Sequence, residues 1–451
     1  MNEKQWTRRA FLAATTTTAA AVITGCKTNT AKVVPRKLSP NEKINVAGIG
    51  AGGKGLGDIM SCRHENVVAL CDPDWKRAEE AFYKLPNARQ YKDYRKMLDE
   101  MGKEIDACTI STPDHSHAPA AYLAMNLGIH VYVQKPLTHT IAEARLLANV
   151  ANKTGVITQM GNQGHCGNGV RDLCEMLWSG AIGDVKEAHI WTNRPIWPQG
   201  MAERPPKQPI PETLDWDIWL GPAAFCEYNE AYAPWVWRGW WDFGCGAIGD
   251  MACHIMDPAF WSLKLGAADH FTIEAIKQEG MTPLSPPLKS IIKYEFPARA
   301  DMGPVDVYWY DGGLMPPRPA GVPEDQKLGD DKNGSLFIGT KGILTAGEYG
   351  GAARLLPDEV MKDYQKPPQT IPRVPGENPY RNWLDGIKTG EQPASNFSYA
   401  GPLTEVANLG NVALRAGKKI TYDVKQMRIT NDASANTLLS KEYRKGWELP
   451  V

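Results

Sequence analysis

Short apolar runs alternate with amphipathic stretches over the first third of the chain. The runs typical of buried strands are residues 43–49, 67–71, 107–110, 130–133 and 156–160. The stretches with helical periodicity are residues 78–85, 94–100, 119–127 and 142–154. Strands that alternate with helices predict a parallel sheet with helices on both faces. We therefore expect an α/β protein whose residues 43–158 form a Rossmann domain with a doubly wound parallel sheet.

The pattern changes from about residue 159. One helix is predicted over 168–178 and one strand over 185–192. Later strands follow one another without predicted helices between them, at 271–277, 290–296, 305–309 and 335–338. Strands in direct succession predict an antiparallel arrangement. We expect residues 159–451 to form a second α/β domain with a large, mostly antiparallel open sheet.

The first 42 residues have the features of an export signal and a tether. Arg8 and Arg9 precede an apolar stretch over 11–25, which is short for a membrane-spanning helix. The stretch ends at Cys26 in a sequence that resembles a bacterial lipobox. These features predict a twin-arginine lipoprotein signal over 1–25, lipidation of Cys26 and a polar tether over 26–42. An N-terminal anchor helix that is never cleaved is the alternative.

Composition narrows the possible partners. The chain has 451 residues, of which 43% are hydrophobic and 22% charged, and its net charge is −1. Such a balance is globular and provides no long-range attraction to nucleic acid or to an anionic membrane surface. We expect contact with a membrane only through the lipid anchor at Cys26, on the periplasmic side. No CxxC sequence or cluster of metal ligands is present, so we predict no metal site.

A glycine-rich turn follows the first predicted strand. Gly48, Gly50 and Gly53 form a GxGxxG pattern at the end of that strand and before a helix. Glycines at these positions allow a tight turn and let the backbone approach a pyrophosphate at the helix N-terminus. The pattern predicts a dinucleotide site, and the alternative is a glycine turn in another kind of α/β protein.

An acidic residue ends the second strand. Asp72 lies 24 residues after Gly48, where the hydroxyls of the adenosine ribose are recognised in this fold. A carboxylate there repels a 2′-phosphate, so NAD is the expected cofactor. Lys76 and Arg77 are close enough in sequence to leave NADP possible.

Two loops at the carboxyl ends of the next strands carry polar residues. Ligands of a doubly wound sheet bind at that edge. We therefore expect cofactor contacts from the loop after residue 110, namely Thr112, Pro113, His115 and His117, and from Lys135 in the loop after residue 133. For His115, an ordinary loop histidine is an equally good interpretation.

These loops also carry a family resemblance. TPDHSHAPAA at 112–121, followed by QKP at 134–136, resembles the Gfo/Idh/MocA oxidoreductases, which include glucose–fructose oxidoreductase and inositol dehydrogenase. WRGWWDFG at 237–244 and NPYRNWLD at 378–385 resemble an exported bacterial branch. The resemblance implies that Lys135 contacts substrate and nicotinamide, although Gln134 stands where the family has glutamate. It also implies that the second domain forms the substrate face and the interface of a homo-oligomer.

The second signature of this family is an Asp and a His four residues apart. Here they are Asp250 and His254. Residues at i and i+4 share one face of a helix, so both side chains point into one site. A hydride leaves a secondary alcohol only as its hydroxyl proton is removed, and imidazole is the base that titrates near neutral pH. We expect His254 to be that base, Lys135 to stabilise the alkoxide, and Asp250 to orient the substrate or the imidazole.

Tryptophan is unusually frequent before this helix: ten of the fifteen copies lie between Trp178 and Trp261. Flat indole rings stack on the C–H faces of sugars, so a small carbohydrate is the expected substrate. Packing of the sheet or of a subunit interface is an equally good interpretation for any one of them. The predicted substrate contacts are Trp237, Trp240, Trp241, Asn162, His165 and Arg194.

Together these features predict an exported, lipid-anchored NAD-dependent oxidoreductase that acts on a secondary hydroxyl of a sugar or glycoside. Its cofactor is expected to stay tightly bound. Two other functions stay open at this point. One is an NAD-dependent glycosidase or lyase that oxidises the sugar transiently, and the other is a non-catalytic glycan-binding lipoprotein.

Overall fold

The first sheet of the computed structural model contains six strands. The structure describes residues 34–39, 41–330 and 332–451. The strands are β1 (Asn45–Ile49), β2 (Asn66–Cys71), β3 (Arg89–Tyr91), β4 (Ala107–Ile110), β5 (His130–Val133) and β6 (Thr158–Met160). Their order is β3-β2-β1-β4-β5-β6, and every neighbouring pair is parallel. The predicted Rossmann sheet is confirmed, and it extends to Met160, two residues past the predicted boundary.

Five helices cover this sheet. They are α1 (Lys54–Ser61), α2 (Trp75–Lys84), α3 (Tyr94–Met101), α4 (His117–Asn126) and α5 (Ile141–Thr154). Polar caps fix where several of them begin, because a side-chain oxygen satisfies the free N–H groups of the first turn. Asp74 and Asp93 cap α2 and α3, and Thr140 forms a capping box with Glu143 at α5.

The second sheet has nine strands. They are β7 (Val185–Thr192), β8 (His270–Glu279), β9 (Lys289–Phe296), β10 (Val305–Tyr310), β11 (Asn333–Gly339), β12 (Ile343–Ala346), β13 (Arg354–Leu356), β14 (Ile420–Asp423) and β15 (Arg428–Ile429). Their order is β13-β12-β11-β7-β10-β9-β8-β14-β15. Among the pairs within the described ranges only β7–β10 is parallel. The predicted large, mostly antiparallel sheet is confirmed.

The remaining helices join the two sheets. They are α6 (Asn168–Trp178), α7 (Trp216–Leu220), α8 (Gly246–Ile255), α9 (Asp257–Ser262), α10 (Val360–Asp363), α11 (Pro379–Thr389) and α12 (Phe397–Ala416). Helix α12 packs against α5 on one side and α8 on the other. Helix α11 returns to the Rossmann domain and buries Trp383 beside Val46 and Tyr132. The C-terminal part of the chain therefore contributes to the core of the first domain, which the linear domain boundaries did not predict.

The predicted signal, Cys26 and the first part of the tether lie outside the described residues. The rest of the tether contacts the domain, because Arg36 donates from Nε and Nη2 to the two carboxylate oxygens of Asp106 at 2.7 and 2.8 Å. None of the helices within the described ranges has the length and apolar character of a membrane span.

Buried neutral histidines make the stability of this fold dependent on pH. The Nδ1 atom of His130, at the start of β5, accepts a hydrogen bond from the Ile157 amide at 2.8 Å, and burial lowers the pKa of His130 to about 4. In the unfolded chain His130 has a pKa of about 6.5, so below that pH it is protonated there but stays neutral in the folded protein. Stability is therefore lost as the pH falls.

We expect the His130→Asn variant, whose side-chain oxygen can replace Nδ1 as the acceptor, to reduce the loss of stability between pH 7 and pH 5. Protonation of this one histidine in the unfolded chain accounts for a loss of about 2 kcal/mol in the free energy of unfolding between pH 7 and pH 5. Urea unfolding at the two pH values measures the difference. An equal loss in variant and wild type would contradict this assignment.

Candidate functional site

The glycine turn after β1 is shaped by contacts that leave no room for side chains. Gly50 has a φ of +79°, and a Cβ there would lie 2.7 Å from the carbonyl carbon of Ser111. Gly53 has a φ of +56° and occupies the N-cap position of α1. A Cβ at Gly48 would lie 3.2 Å from the side chain of Leu70. The turn therefore presents bare backbone at a helix N-terminus, which fits a pyrophosphate.

Asp72 supports this turn from the end of β2. Its carboxylate accepts hydrogen bonds from the amides of Gly52 at 3.0 Å and Asp74 at 2.9 Å. Burial raises the pKa of Asp72 to about 6 in spite of these bonds. Arg77 is exposed and lies over the turn, since a Cβ at Gly53 would be 2.4 Å from its Nη2 atom. Asp72 is the carboxylate expected to select NAD, and Arg77 is the cation that would allow NADP. Both therefore lie beside the glycine turn, where the adenosine part of the cofactor is expected.

The loop after β4 is held by its histidines. The ring nitrogens of His115 lie 3.3 and 3.1 Å from the carbonyl oxygens of Phe243 and Trp219. Those of His117 lie 2.8 Å from the carbonyl oxygens of Pro136 and Thr112. Both imidazoles are buried, which favours a role in joining loops over the predicted contact with the cofactor. Thr112 and Pro113 are half-buried at the carboxyl end of β4.

Lys135 and Asp250 meet across the two domains. Lys135 Nζ donates to the Asp250 carboxylate at 2.7 Å and to the Asp250 carbonyl at 2.9 Å. Arg238 Nε donates to the same carboxylate oxygen at 3.2 Å. Burial raises the pKa of Asp250, but the charges of Lys135 and Arg238 more than offset it and hold that pKa below its usual value. The structure thus brings together two of the predicted catalytic residues and adds Arg238.

His254 lies one helical turn beyond Asp250 on α8. It is buried, and its Nδ1 atom has no hydrogen-bond partner among the described residues. Burial, and then the charge of Lys135, lower the pKa of His254 to about 3. The imidazole is therefore neutral at physiological pH and free to accept a proton. The prediction that His254 titrates near neutral pH is wrong, because desolvation and the neighbouring cation Lys135 both disfavour the charged imidazolium.

Tyr349 is a site residue that the sequence reasoning missed. It stands in the left-handed region with a φ of +59°, and its ring packs edge-on against His254 with centroids 5.2 Å apart. Burial raises the pKa of its hydroxyl, and the neighbouring Glu348 and, to a lesser extent, Asp250 act in the same direction. Strained backbone at a non-glycine residue is concentrated at functional sites. The glycine-rich segment around it, Gly347 to Gly351, was the signal that could have pointed to it.

Asp58 on α1 explains the glutamine in QKP. Its buried carboxylate accepts a hydrogen bond from Gln134 Nε2 at 2.8 Å. A glutamate at position 134 would instead place a second carboxylate against it, which like-charge repulsion disfavours. The remaining donors to Asp58 are Lys54 at 2.5 Å, Ser111 at 2.6 Å and Tyr380 at 2.5 Å. A neutral glutamine at position 134 is thus compatible with the carboxylate that α1 places beside it.

The three predicted polar contacts lie around the same region. Asn162 is buried and accepts from Ser395 at 2.6 Å, while its Nδ2 atom has no partner among the described residues. Arg194 is half-buried, and its charge contributes to lowering the pKa of His254. His165 is buried against Asp257 at 2.9 Å. All three follow the carboxyl ends of β6 or β7.

The tryptophans divide between packing and exposure. Trp240 is only 2% exposed, donates to the Ala231 carbonyl and packs on Tyr232, so packing rather than the predicted sugar contact accounts for it. Trp237 is buried beneath the Arg238 guanidinium, which lies 4.1 Å from its ring centroid. Trp241 is half-buried and donates to Thr282. Trp235, at 52% exposure, presents its ring to solvent 5.2 Å from Arg238.

Comparison with protein families identifies this arrangement. The Gfo/Idh/MocA model described as an oxidoreductase family with an NAD-binding Rossmann fold matches residues 43–162. The model of the C-terminal alpha/beta domain of that family matches residues 185–280 and 359–449. The chain belongs to the Gfo/Idh/MocA oxidoreductase family. The predicted family and its NAD cofactor are confirmed.

Two relatives compared individually share about a quarter to a third of their residues with this chain over part of its length. A glycosyl hydrolase family 109 protein of Shewanella pealeana is 27% identical over 40% of this chain, and inositol 2-dehydrogenase of Salmonella typhimurium is 29% identical over 33%. The chain spans less than half of each, 44% of their length. The WlbA dehydrogenase of Bordetella pertussis, solved with NADH and UDP-GlcNAcA, covers 84% of this chain and 98% of its own at a TM-score of 0.57 and 15% identity, which shows the fold.

The residues present fit the NAD of this family. The turn at Gly50 and Gly53 is a cradle that a Cβ would fill, and Asp72 closes its adenosine end. At the other end the unpartnered Nδ1 of His254 and Nδ2 of Asn162 lie in a buried polar region, and buried groups left without a partner are exceptional in folded proteins. The glycine turn would hold the dinucleotide phosphates, and Lys135 would approach the nicotinamide.

We expect Gly50→Ala to weaken NAD binding by about tenfold or more, because a left-handed φ and a backbone clash both oppose a side chain there. Gly57→Ala is the matched control, since Gly57 lies on α1 just after the turn and a Cβ there meets nothing within 4 Å. Isothermal titration with NAD measures both. Equal affinity in the two variants would remove Gly50 from the cofactor site.

Proposed function

We propose that this protein is an NAD-dependent oxidoreductase that oxidises a secondary hydroxyl of a sugar or glycoside. The observation that carries the proposal is the half-buried ion pair between Lys135 and Asp250, with the buried, neutral imidazole of His254 one helical turn away. NAD, when bound, accepts the hydride from the substrate carbon. The protein must therefore bind the hydroxyl, take its proton and stabilise the oxygen.

His254 is the proposed proton acceptor. Its Nδ1 atom is buried without a partner, and its pKa of about 3 keeps the ring unprotonated at physiological pH. A positioned base contributes roughly 10²–10⁴-fold to rate. As the base takes up the hydroxyl proton, the carboxylate of Asp250 on the same helix face stabilises the resulting imidazolium.

Lys135 is the proposed donor to the reacting oxygen. Its ammonium is held by two oxygens of Asp250, which leaves its third N–H for a substrate. A cation fixed in a buried site stabilises developing negative charge more than the same cation in water does. Arg238 shares the Asp250 carboxylate and so keeps the local charge positive.

The relatives support a carbohydrate or polyol as the substrate. Their names include inositol 2-dehydrogenase and D-apiose dehydrogenase, and one structural neighbour is a levoglucosan dehydrogenase solved with NADH and L-sorbose. In this chain the exposed ring of Trp235 beside Arg238 offers an apolar face next to a charged donor. That combination suits a sugar ring, which presents C–H faces and hydroxyl edges.

A second candidate is a redox-neutral glycosidase or lyase, in which the sugar is oxidised only transiently. The observation that favours it is the similarity to glycosyl hydrolase family 109 proteins. Product analysis separates the two, because net oxidation releases a ketone whereas the redox-neutral reaction releases an alcohol and a sugar at the original oxidation level.

We also propose that the protein is exported, lipid-anchored at Cys26 and charged with its cofactor before export. The twin arginines at Arg8 and Arg9 support this proposal, since that route carries folded proteins. Free NAD is absent outside the cytoplasm, so a dissociating cofactor would be lost by dilution. A homo-oligomer formed through the nine-stranded sheet is part of the same proposal.

We expect His254→Ala to lower turnover by about 10²–10⁴-fold with little change in NAD affinity, because the imidazole is remote from the pyrophosphate turn. Stopped-flow NADH formation on a panel of glycosides and inositols gives the rate, and titration gives the affinity. In the wild type at saturating NAD, kcat/KM for the sugar should not decline between pH 8 and pH 5, because the pKa of His254 is about 3. Near-normal turnover of the variant would exclude His254 as the base.

We expect the purified full-length protein to retain NAD through extensive dialysis and to turn over without added NAD. Nanomolar binding corresponds to about −12 kcal/mol, which a buried pyrophosphate and two riboses can supply. Mass spectrometry of the dialysed protein detects the nucleotide. A stable apoprotein that works only with millimolar free NAD would contradict a retained cofactor and imply free exchange.

A further inference from the structure

A second imidazole is held by a carboxylate next to the proposed active site. His165 Nδ1 lies 2.9 and 3.1 Å from the two oxygens of Asp257, and Tyr399 donates to the same carboxylate at 2.5 Å. The ring is packed between Tyr399 and Trp261, with centroids 4.3 and 4.5 Å away. Both His165 and Asp257 are buried. The imidazole is thus fixed in position and tautomer, as a group that transfers protons requires.

This dyad adjoins His254 rather than a separate part of the protein. Asp250, His254 and Asp257 are spaced by four and three residues along α8 and the start of α9, so they follow one helix face. Tyr349 links the two imidazoles: its ring packs on His254, and its side chain lies against Gly164, where a Cβ would be 2.4 Å from Tyr349 Cδ1. Gln163, two residues before His165, donates to the Tyr349 hydroxyl at 3.3 Å.

The Nε2 atom of His165 has no hydrogen-bond partner among the described residues, because Asp257 occupies only the Nδ1 side. Asn162, on the same turn, likewise has an unpartnered and buried Nδ2 atom. Oxidation of a hydroxyl releases one proton, which His254 accepts. Alcohol oxidation therefore needs only one base, and the oriented imidazole of His165 is available for a second proton transfer.

We propose that His165, oriented by Asp257, removes a proton from the carbon next to the carbonyl of the oxidised substrate. This inference rests on the proposed function, which supplies the ketone. The C–H bond breaks, an N–H bond forms at His165 Nε2, and the electron pair moves to the carbonyl oxygen as an enolate. Where the next carbon carries a glycosidic oxygen, the enolate re-forms the carbonyl and expels that oxygen as an alkoxide. The alkoxide takes up the proton, and the products are an enone and an alcohol.

Exchange of the C–H proton next to the carbonyl with deuterated water tests proton removal by His165 independently of hydride transfer. The holoenzyme is incubated in D₂O with 2-keto-myo-inositol or methyl 3-dehydro-glucopyranoside, and proton NMR follows loss of the signal next to the carbonyl. Reduction of the same ketones is followed separately by NADH absorbance. We expect His165→Gln to lower the enzyme-dependent exchange rate by at least about 100-fold but reduction by less than about tenfold. Asp257→Asn should lower exchange by a smaller factor than His165→Gln.

His189→Gln is the matched control. His189 is also buried, pairs with Glu187 at 3.1 Å and stacks on Tyr308, but it lies on β7 within the nine-stranded sheet. It should change neither rate. Wild-type exchange no faster than buffer, or equal losses of exchange and reduction in His165→Gln, would overturn the assignment of His165. Failure of the wild type to reduce either ketone would instead overturn the proposed function.

Discussion

The contact between Lys135 and Asp250 is the constraint on which the site depends. One partner follows a strand of the Rossmann sheet and the other lies on a helix of the second domain, so the ion pair fixes the two domains to each other at the reacting centre. The pair is half-buried, with side-chain exposures of 15% and 12%, so removal of one partner would leave the other charge uncompensated and only partly solvated. Here the carboxylate is shared with Arg238, so the three half-buried groups together carry one net positive charge.

That positive charge sets the protonation state of its neighbours. It holds Asp250 ionised and, together with burial, keeps His254 neutral. A neutral imidazole beside an ammonium is a weak base in the resting site, but the alkoxide that forms on deprotonation is stabilised by the same ammonium. The Lys135 ammonium thus both lowers the pKa of His254 and stabilises the alkoxide that His254 generates. Lys135 and His254 therefore act together.

A second buried carboxylate balances the site from the cofactor side. Asp58 collects four donors, one of which is the glutamine that replaces the usual glutamate of the family signature. Tyr380, from the C-terminal helix α11, is another of these donors. The side chain next to Lys135 is therefore neutral, and it donates to a carboxylate on α1 that is paired with Lys54.

The sequence by itself determined the alternation of strands and helices in the Rossmann domain apart from the short strand β3, the glycine turn, and the placement of Asp250 and His254 on one helix face. These features are local: hydrophobic period, left-handed glycines and helical spacing are written in consecutive residues. Tertiary structure decided the rest. Tyr349 and Asp58 reach the site from segments far from Asp250 in sequence. Burial and the charge of Lys135 together keep the imidazole of His254 uncharged instead of titrating near neutral pH. His115 had the right residue type for a ligand contact, yet the carbonyl oxygens of Phe243 and Trp219, distant in sequence, occupy both of its ring nitrogens. Contacts of this kind depend on which segments meet, and no short pattern in the chain specifies that.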